Sequence, residues 1–443
     1  MIKKSSQNQS EKVATASWLS SNVHKGEVLL YSLLLLFLPT QLGKHFWFPS
    51  SQVLGIKIDY LSPTLYVTDC IILFLFLTSL FSGSLKALFI SISTRAKLVL
   101  LVALLFLLLS SLQARHPEIA LYLFVKVLEC VFVGFYTAFV ARKILSMRNI
   151  GVLVGIGVSV EAGLALSQYA LQRSVGSVLY FLGERTFTPQ TPGIATTSLG
   201  GELWLRAYGT FSHPNVLAGY LLLSLLLLLP LAIKSKDRLK NLWIFFVSLG
   251  TLGMVVTLSR TALLLWFGSI LILLRKEGKL KKIFWYVGVI FFSLLLVFFF
   301  TPLPFQFFRS DLLESFSLRV ELMHAAFRMI IDSPLFGVGP LHFVSSLPFY
   351  SVPLRHVFYI QPVHNIFLLA ASEVGLLGLF FLLWFFSRTA FHLHRLRKER
   401  TVFFLLFASI LILGMVDHYL FTLQQGQLLL AFSLGLLWAK ETT

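Results

Sequence analysis

Long, unbroken apolar runs recur along this chain, and they leave few folds open to it. A run near 20 residues crosses a bilayer core as a helix, with every backbone polar group satisfied inside the segment. The runs do not alternate apolar and polar residues, as the strands of a transmembrane barrel would. Of the 443 residues, 57% are hydrophobic and 13% charged, roughly half the charged share of a soluble domain. The predicted fold class is all-α: a polytopic transmembrane bundle of about 12 helices, with a large extracytoplasmic loop that itself contains helices.

The predicted spans are Val28–Leu38 (extending towards Gly43), Leu65–Phe81, Leu98–Leu112, Ile119–Val140, Ile150–Leu171 and Asn215–Ile233. Then follow Leu242–Leu258, Thr261–Leu274, Ile283–Thr301, Val363–Phe386, Val402–Val416 and Tyr419–Trp438. Charge orients them. With a cytoplasmic tail at residues 1–26, most of the 37 Lys and Arg fall in cytoplasmic segments, including Lys234, Lys236, Arg238, Arg275, Lys276, Arg395 and Arg397. Short basic loops stay in the cytoplasm, so the expectation is a multi-pass protein of a cytoplasmic membrane with both ends inside. The net charge of +18 then has its explanation in the lipid bilayer, and no nucleic-acid partner is called for. The first apolar run lacks a small-residue cleavage site and reads as retained. Cys70 and Cys130 lie within predicted spans and suggest neither a disulfide framework nor a metal site.

Residues 27–443 form the membrane domain, with long outer loops at about 172–212 and 302–362. Loops of that length usually carry function. The second is predicted to hold a helix over Leu312–Ile331, opened by an Asp311/Glu314 capping box and lying on the membrane surface or capping the bundle.

Three short stretches bring polar residues to the outer ends of spans. They are Arg206 with Gly209-Thr210-Phe211-Ser212-His213-Pro214-Asn215, then Ser259-Arg260-Thr261, then Pro362-Val363-His364-Asn365. Each opens a helix whose N-terminus faces outward, and Pro214 and Pro362 suit first-turn positions. A helix N-terminus offers free N–H groups and partial positive charge to an anion. Arg206 and Arg260 add guanidinium groups, which grip phosphate oxygens in pairs. Together they make an anion site with His364 in reach as a base and His213 as a cap. Glu373 lies about 13 Å deeper than His364 along the helix. At that depth an ionisable residue is either functional or bound to a neighbouring helix beside Gly375 and Gly378. Glu161 and Gln168 are weaker candidates of the same kind, and Asp417-His418 reads as interfacial.

These stretches resemble the O-antigen ligase and Wzy-type polymerase superfamily. The matching residues are Arg206 with Gly209 to Asn215, Ser259-Arg260, Pro334-Leu335-Phe336-Gly337-Val338-Gly339-Pro340, and His364-Asn365 followed by Glu373-Val374-Gly375-Leu376-Leu377-Gly378. The resemblance covers about Arg206 to Phe386, and the large loop before the histidine fits it. Met323 departs from the pattern, since relatives commonly carry Trp at that point after the Arg319 position. The resemblance implies a GT-C-like inverting glycosyltransferase of surface polysaccharide synthesis in a bacterial inner membrane. Its donor would be a glycan on a polyprenyl pyrophosphate, and its acceptor a hydroxyl on a lipid core, a glycan or a protein. By resemblance, His364, Arg206 and Arg260 are catalytic; the candidate substrate-binding residues are Arg206, Arg260, His213, Asn215, Asn365, Glu373 and Arg319. No cofactor is expected, and no metal, because the outer acidic residues form no close DxD or ExD pair. The alternative is a flippase or transporter for the same lipids, which should show a polar path and broken helices.

Overall fold

The computed structural model describes residues 24–199, 202–236, 238–276, 278, 310–351, 359–395 and 401–439. The N-terminal tail to residue 23, the predicted span Ile283–Thr301 and the Asp311/Glu314 capping box lie outside the described residues and side chains.

Every other predicted span coincides with helix. In chain order these are α1 (24–37), α2 (Val67–Ser82), α3 (Ser84–Ser91), α4 (Thr94–Gln113), α5 (Pro117–Ile144) and α6 (Met147–Leu171). Next come α7 (Pro214–Lys234), α8 (Lys240–Val256), α9 (Arg260–Lys276), α10 (Ser310–Asp332), α11 (Phe343–Tyr350), α12 (Ile366–Arg395) and α13 (Thr401–Val416). The chain closes with α14 (Tyr419–Thr422) and α15 (Gln424–Trp438). Five of the described helices are long and apolar enough to cross a bilayer, or six if the bent pair α2–α3 counts as one span. The chain is an integral membrane protein. Among the described residues there are three small antiparallel strand pairs, the longest joining Thr196–Leu199 to Glu202–Leu205.

Two predicted spans differ from simple rods. The last, Tyr419–Trp438, is split at Leu423, whose backbone is extended between α14 and α15. Helix α12 breaks at Gly375, where φ is 74° and ψ is −179°. Only glycine adopts that backbone readily, and a Cβ there would lie 2.1 Å from the Leu335 carbonyl oxygen.

Helix α7 is apolar all round and buried along almost its whole length, as expected of a central helix. Around it pack α6, α8, α9, α13 and α15. One group of buried charges inside the bundle is tied together. Lys126 of α5 forms an ion pair with Asp69 of α2 and lies 3.3 Å from Glu129, while Gln424 of α15 donates to Asp69 at 2.8 Å. This polar knot ties three helices together near one end of the bundle.

Candidate functional site

The polar residues picked out by sequence converge at that same end. Arg206 leaves the Glu202–Leu205 strand half-buried, and its Nε donates to the Thr257 carbonyl at 2.9 Å. A tight turn presents this carbonyl. Leu258 sits in the left-handed region (φ 54°), and Thr257 caps the end of α8 by donating to Met254 O. A non-glycine residue pays about 1–2 kcal/mol for that backbone. It allows α9 to begin at once with Arg260, within electrostatic reach of Arg206. The second arm of Arg206 donates to Asn215 Oδ1 at 2.7 Å. Asn215 in turn donates to Asp417 Oδ2 at 3.1 Å, and Asp417 Oδ1 accepts the His418 backbone N–H at 2.8 Å. A ring nitrogen of His364, one of His418 and a carboxylate oxygen of Asp417 lie within 4.8 Å of one another. The His364 and His418 rings meet edge to face, 5.1 Å between centroids. His364 Nδ1 is buried and has no hydrogen-bond partner among the described residues.

Three helix N-termini frame this group. His213 Nδ1 accepts the Asn215 N–H and caps α7 beside Pro214. Asn365 Oδ1 accepts the N–H groups of Phe367 and Leu368 and caps α12, while its amide donates to Met415 O. Arg260 opens α9 and is exposed. Arg319 of α10 donates to Val416 O at 3.4 Å, which brings a third guanidinium against the Asp417 turn.

The loop that runs from Arg206 to His213 is held by polar side chains of α6. Gln168 accepts the N–H groups of Tyr208 and Gly209 and donates to Gly209 O and Glu184. Glu161 accepts the Thr210 N–H at 2.9 Å and pairs with its hydroxyl at 2.7 Å. Gly209 (φ 59°) passes so close to Glu161 that a Cβ would lie 2.3 Å from its carboxylate. Glu373 does the same work for another loop. Both its oxygens are taken by backbone N–H groups, of Leu341 at 3.1 Å and Phe343 at 3.0 Å. It stands apart from the His364 group, and the structure gives it a loop-holding position.

Burial works against charge here, with different results. It pushes the His364 imidazole down to about 4 and His213 to about 3, where Arg206 adds repulsion. His418 is lowered for the same reason. Burial also lowers Arg206, to about 10, which leaves it charged at neutral pH. For Asp417, burial raises the carboxyl, but the three imidazoles and the Asn215 amide outweigh it and hold it below the ordinary range.

Sequence reasoning took Asp417-His418 for interfacial residues. The structure corrects this: both are buried, at 8% and 5% exposure, against His364. Pairing with Asn215, 202 positions earlier in the chain, left no local trace. Three imidazole- or carboxylate-bearing groups this close could in principle hold a cation. The donor set fits poorly: both Asp417 oxygens already accept hydrogen bonds, and Arg206, Arg260 and Arg319 crowd the same end. Fixed positive charge selects an anion.

The fold and site define an integral membrane protein with a cluster of arginine, histidine and aspartate side chains at one end of its helix bundle. Residues 244–383, about a third of the chain, match the family model of O-antigen ligase. The matched stretch holds Arg260, Arg319 and His364; folding brings Arg206, Asn215 and Asp417 to it from outside. Comparison with curated proteins gave no match.

Proposed function

We propose that this protein transfers a glycan from a polyprenyl-pyrophosphate lipid to a hydroxyl acceptor, without a metal, on the outer face of a bacterial inner membrane. The proposed topology has about twelve spans and both termini in the cytoplasm, which sets the site end outward. The match of residues 244–383 to the O-antigen ligase model supports glycan transfer in surface polysaccharide synthesis. The observation that carries the finer reading is the unbroken chain Arg206–Asn215–Asp417 ending beside His364.

In this reading Arg206 and Arg260 bind the pyrophosphate, with Arg319 at the rim. The acceptor oxygen attacks the anomeric carbon from the side opposite the leaving group and inverts it. As that C–O bond forms, the bond from the anomeric carbon to the phosphate oxygen breaks. The hydroxyl proton passes to neutral His364, and the departing lipid pyrophosphate leaves with its electron pair against the guanidinium groups. Asp417 then stabilises the imidazolium, as a buried carboxylate beside a histidine does. The breaks at Gly375 and Leu423 are of a kind transporters also show, but a transporter needs a polar route across the bilayer as well. Among the described residues, the carboxylates Glu161 and Glu373 are bound to loop backbone and Lys126 to Asp69.

The test is transfer in proteoliposomes, with a polyprenyl-pyrophosphate glycan and separate candidate acceptors: a lipid core, a free glycan and a hydroxyl peptide. Release of polyprenyl pyrophosphate with a glycosylated acceptor supports the reading, and the productive acceptor distinguishes ligase from polymerase. Movement of labelled donor across the bilayer with no product would replace it with the transporter.

A further inference from the structure

The stretch 333–349 packs against α4 and the residues just after it. Its contacts with α4 can be read as a depth gauge. Phe349 meets Arg115 at the end of α4, with the guanidinium 5.5 Å from the ring centroid. His342 accepts the His116 backbone N–H at 3.0 Å. A Cβ on Gly339 would touch Ala114. Phe336, by contrast, stacks on Phe106 at 5.5 Å, and its carbonyl accepts the Ser110 hydroxyl. Phe106 lies eight residues below Ala114 on a continuous helix, hence about 12 Å deeper. One leaflet's hydrocarbon is about 15 Å thick, so the tip of this loop reaches well into it.

Irregular backbone is tolerated at that depth only when its polar groups are satisfied by protein. The loop meets this condition through the break in α12. Val338 N–H donates to Ser372 O, Gly339 N–H to Glu373 O, and the freed Leu376 N–H to Pro334 O. The Glu373 carboxylate takes the Leu341 and Phe343 N–H groups, and Ser333 and Gly337 close a turn between them.

Helix α10 leads down to this loop and is apolar on two faces. One face, with Leu322, Ala325, Ala326 and Met329, is buried against α11 and Leu369. The other, with Phe316, Met323, Phe327 and Ile331, is exposed, and Ile331 at its deep end is 79% exposed. Between them His324 faces out at 58%. We infer that α10, the 333–342 loop and α11 form a re-entrant hairpin in the leaflet on the site side, and that the Phe327–Ile331 face of α10 contacts lipid acyl chains. The occupant is the bilayer, because the exposed apolar face continues through Leu335 into the Phe336–Phe106 contact inside a membrane span, while the exposed Arg328 and Asp332 beside it are bonded to Tyr350.

Site-directed spin labelling of the full-length chain in proteoliposomes tests this, with Cys70 and Cys130 replaced by serine. Labels at Phe327→Cys and Ile331→Cys should be relaxed by oxygen and shielded from aqueous nickel chelate, while His324→Cys should show the reverse. If the first two are as open to the nickel reagent as His324→Cys, the hairpin is not in the leaflet. If they are shielded from both reagents, protein covers the face and the lipid assignment falls. Should the cysteine-free chain fail to insert, the wild type can be irradiated with diazirine-tailed phospholipids. Adducts on the 316–331 peptide support the inference, and adducts on α4 without any there overturn it.

Discussion

Asn215 and Asp417, 202 residues apart, meet through a 3.1 Å hydrogen bond that joins the start of the central helix α7 to the end of α13. The same asparagine accepts from Arg206. One amide thus sets the distance between the guanidinium assigned to the leaving group and the carboxylate beside the assigned base. Substituting Asn215→Ala should cost transfer about 10-fold or more by letting these parts drift, since small misplacements of reacting groups are expensive. Asn215→Asp should do worse, because it sets a second carboxylate against Asp417 and neutralises Arg206. Steady-state rates in proteoliposomes check both, and equal rates for the two variants would contradict this role.

Arg206 is expected to act in the transition state. Arg206→Ala should lower kcat by roughly 10²–10³, the usual cost of a lost oxyanion contact. Arg206→Lys should recover little, because lysine cannot reach Thr257 O and Asn215 Oδ1 together while facing phosphate. A variant with raised KM and normal kcat would make Arg206 a binding residue only.

The pH profile follows from the burial of His364. The base must be neutral, so activity is lost as pH falls through its pKa. In the free enzyme that pKa is held down to about 4, which puts the acid limb of kcat/KM well below that of an ordinary histidine. Bound pyrophosphate adds negative charge beside the imidazole and raises its pKa, so the acid limb of kcat should lie at higher pH than that of kcat/KM. Coincident limbs would show that donor and histidine do not share a site.

Glu373 is expected to matter for folding more than for chemistry. Glu373→Ala leaves the Leu341 and Phe343 N–H groups without acceptors, at a cost of about 2–5 kcal/mol. Thermal unfolding in detergent should show a marked drop, and Glu373→Gln should restore only part of it, because its amide oxygen accepts one of the two N–H groups and its nitrogen cannot accept the other. Undiminished stability in Glu373→Ala would argue against the loop-holding position.

The spans were legible because an apolar run has one economical fate in a bilayer. Arg206, Arg260 and His364 were legible because each sits next to a helix start that the sequence marks with Pro, Ser or Asn. Asp417 and His418 were not, since polar residues at a helix end are what any membrane boundary displays; only the fold shows them buried. The break at Gly375 was hidden for a related reason. A glycine in an apolar run usually signals helix packing, and nothing local announces that Pro334 and Val338 would return to bond the opened backbone.

The most direct test is release of polyprenyl pyrophosphate from the lipid-linked donor in a single turnover, with acceptor and EDTA present, for wild type and His364→Ala. The account predicts acceptor-dependent release by the wild type, unaffected by EDTA, and a rate about 10²–10⁴-fold lower in His364→Ala at unchanged donor binding. Wild-type release in His364→Ala, or its abolition by EDTA, would contradict it.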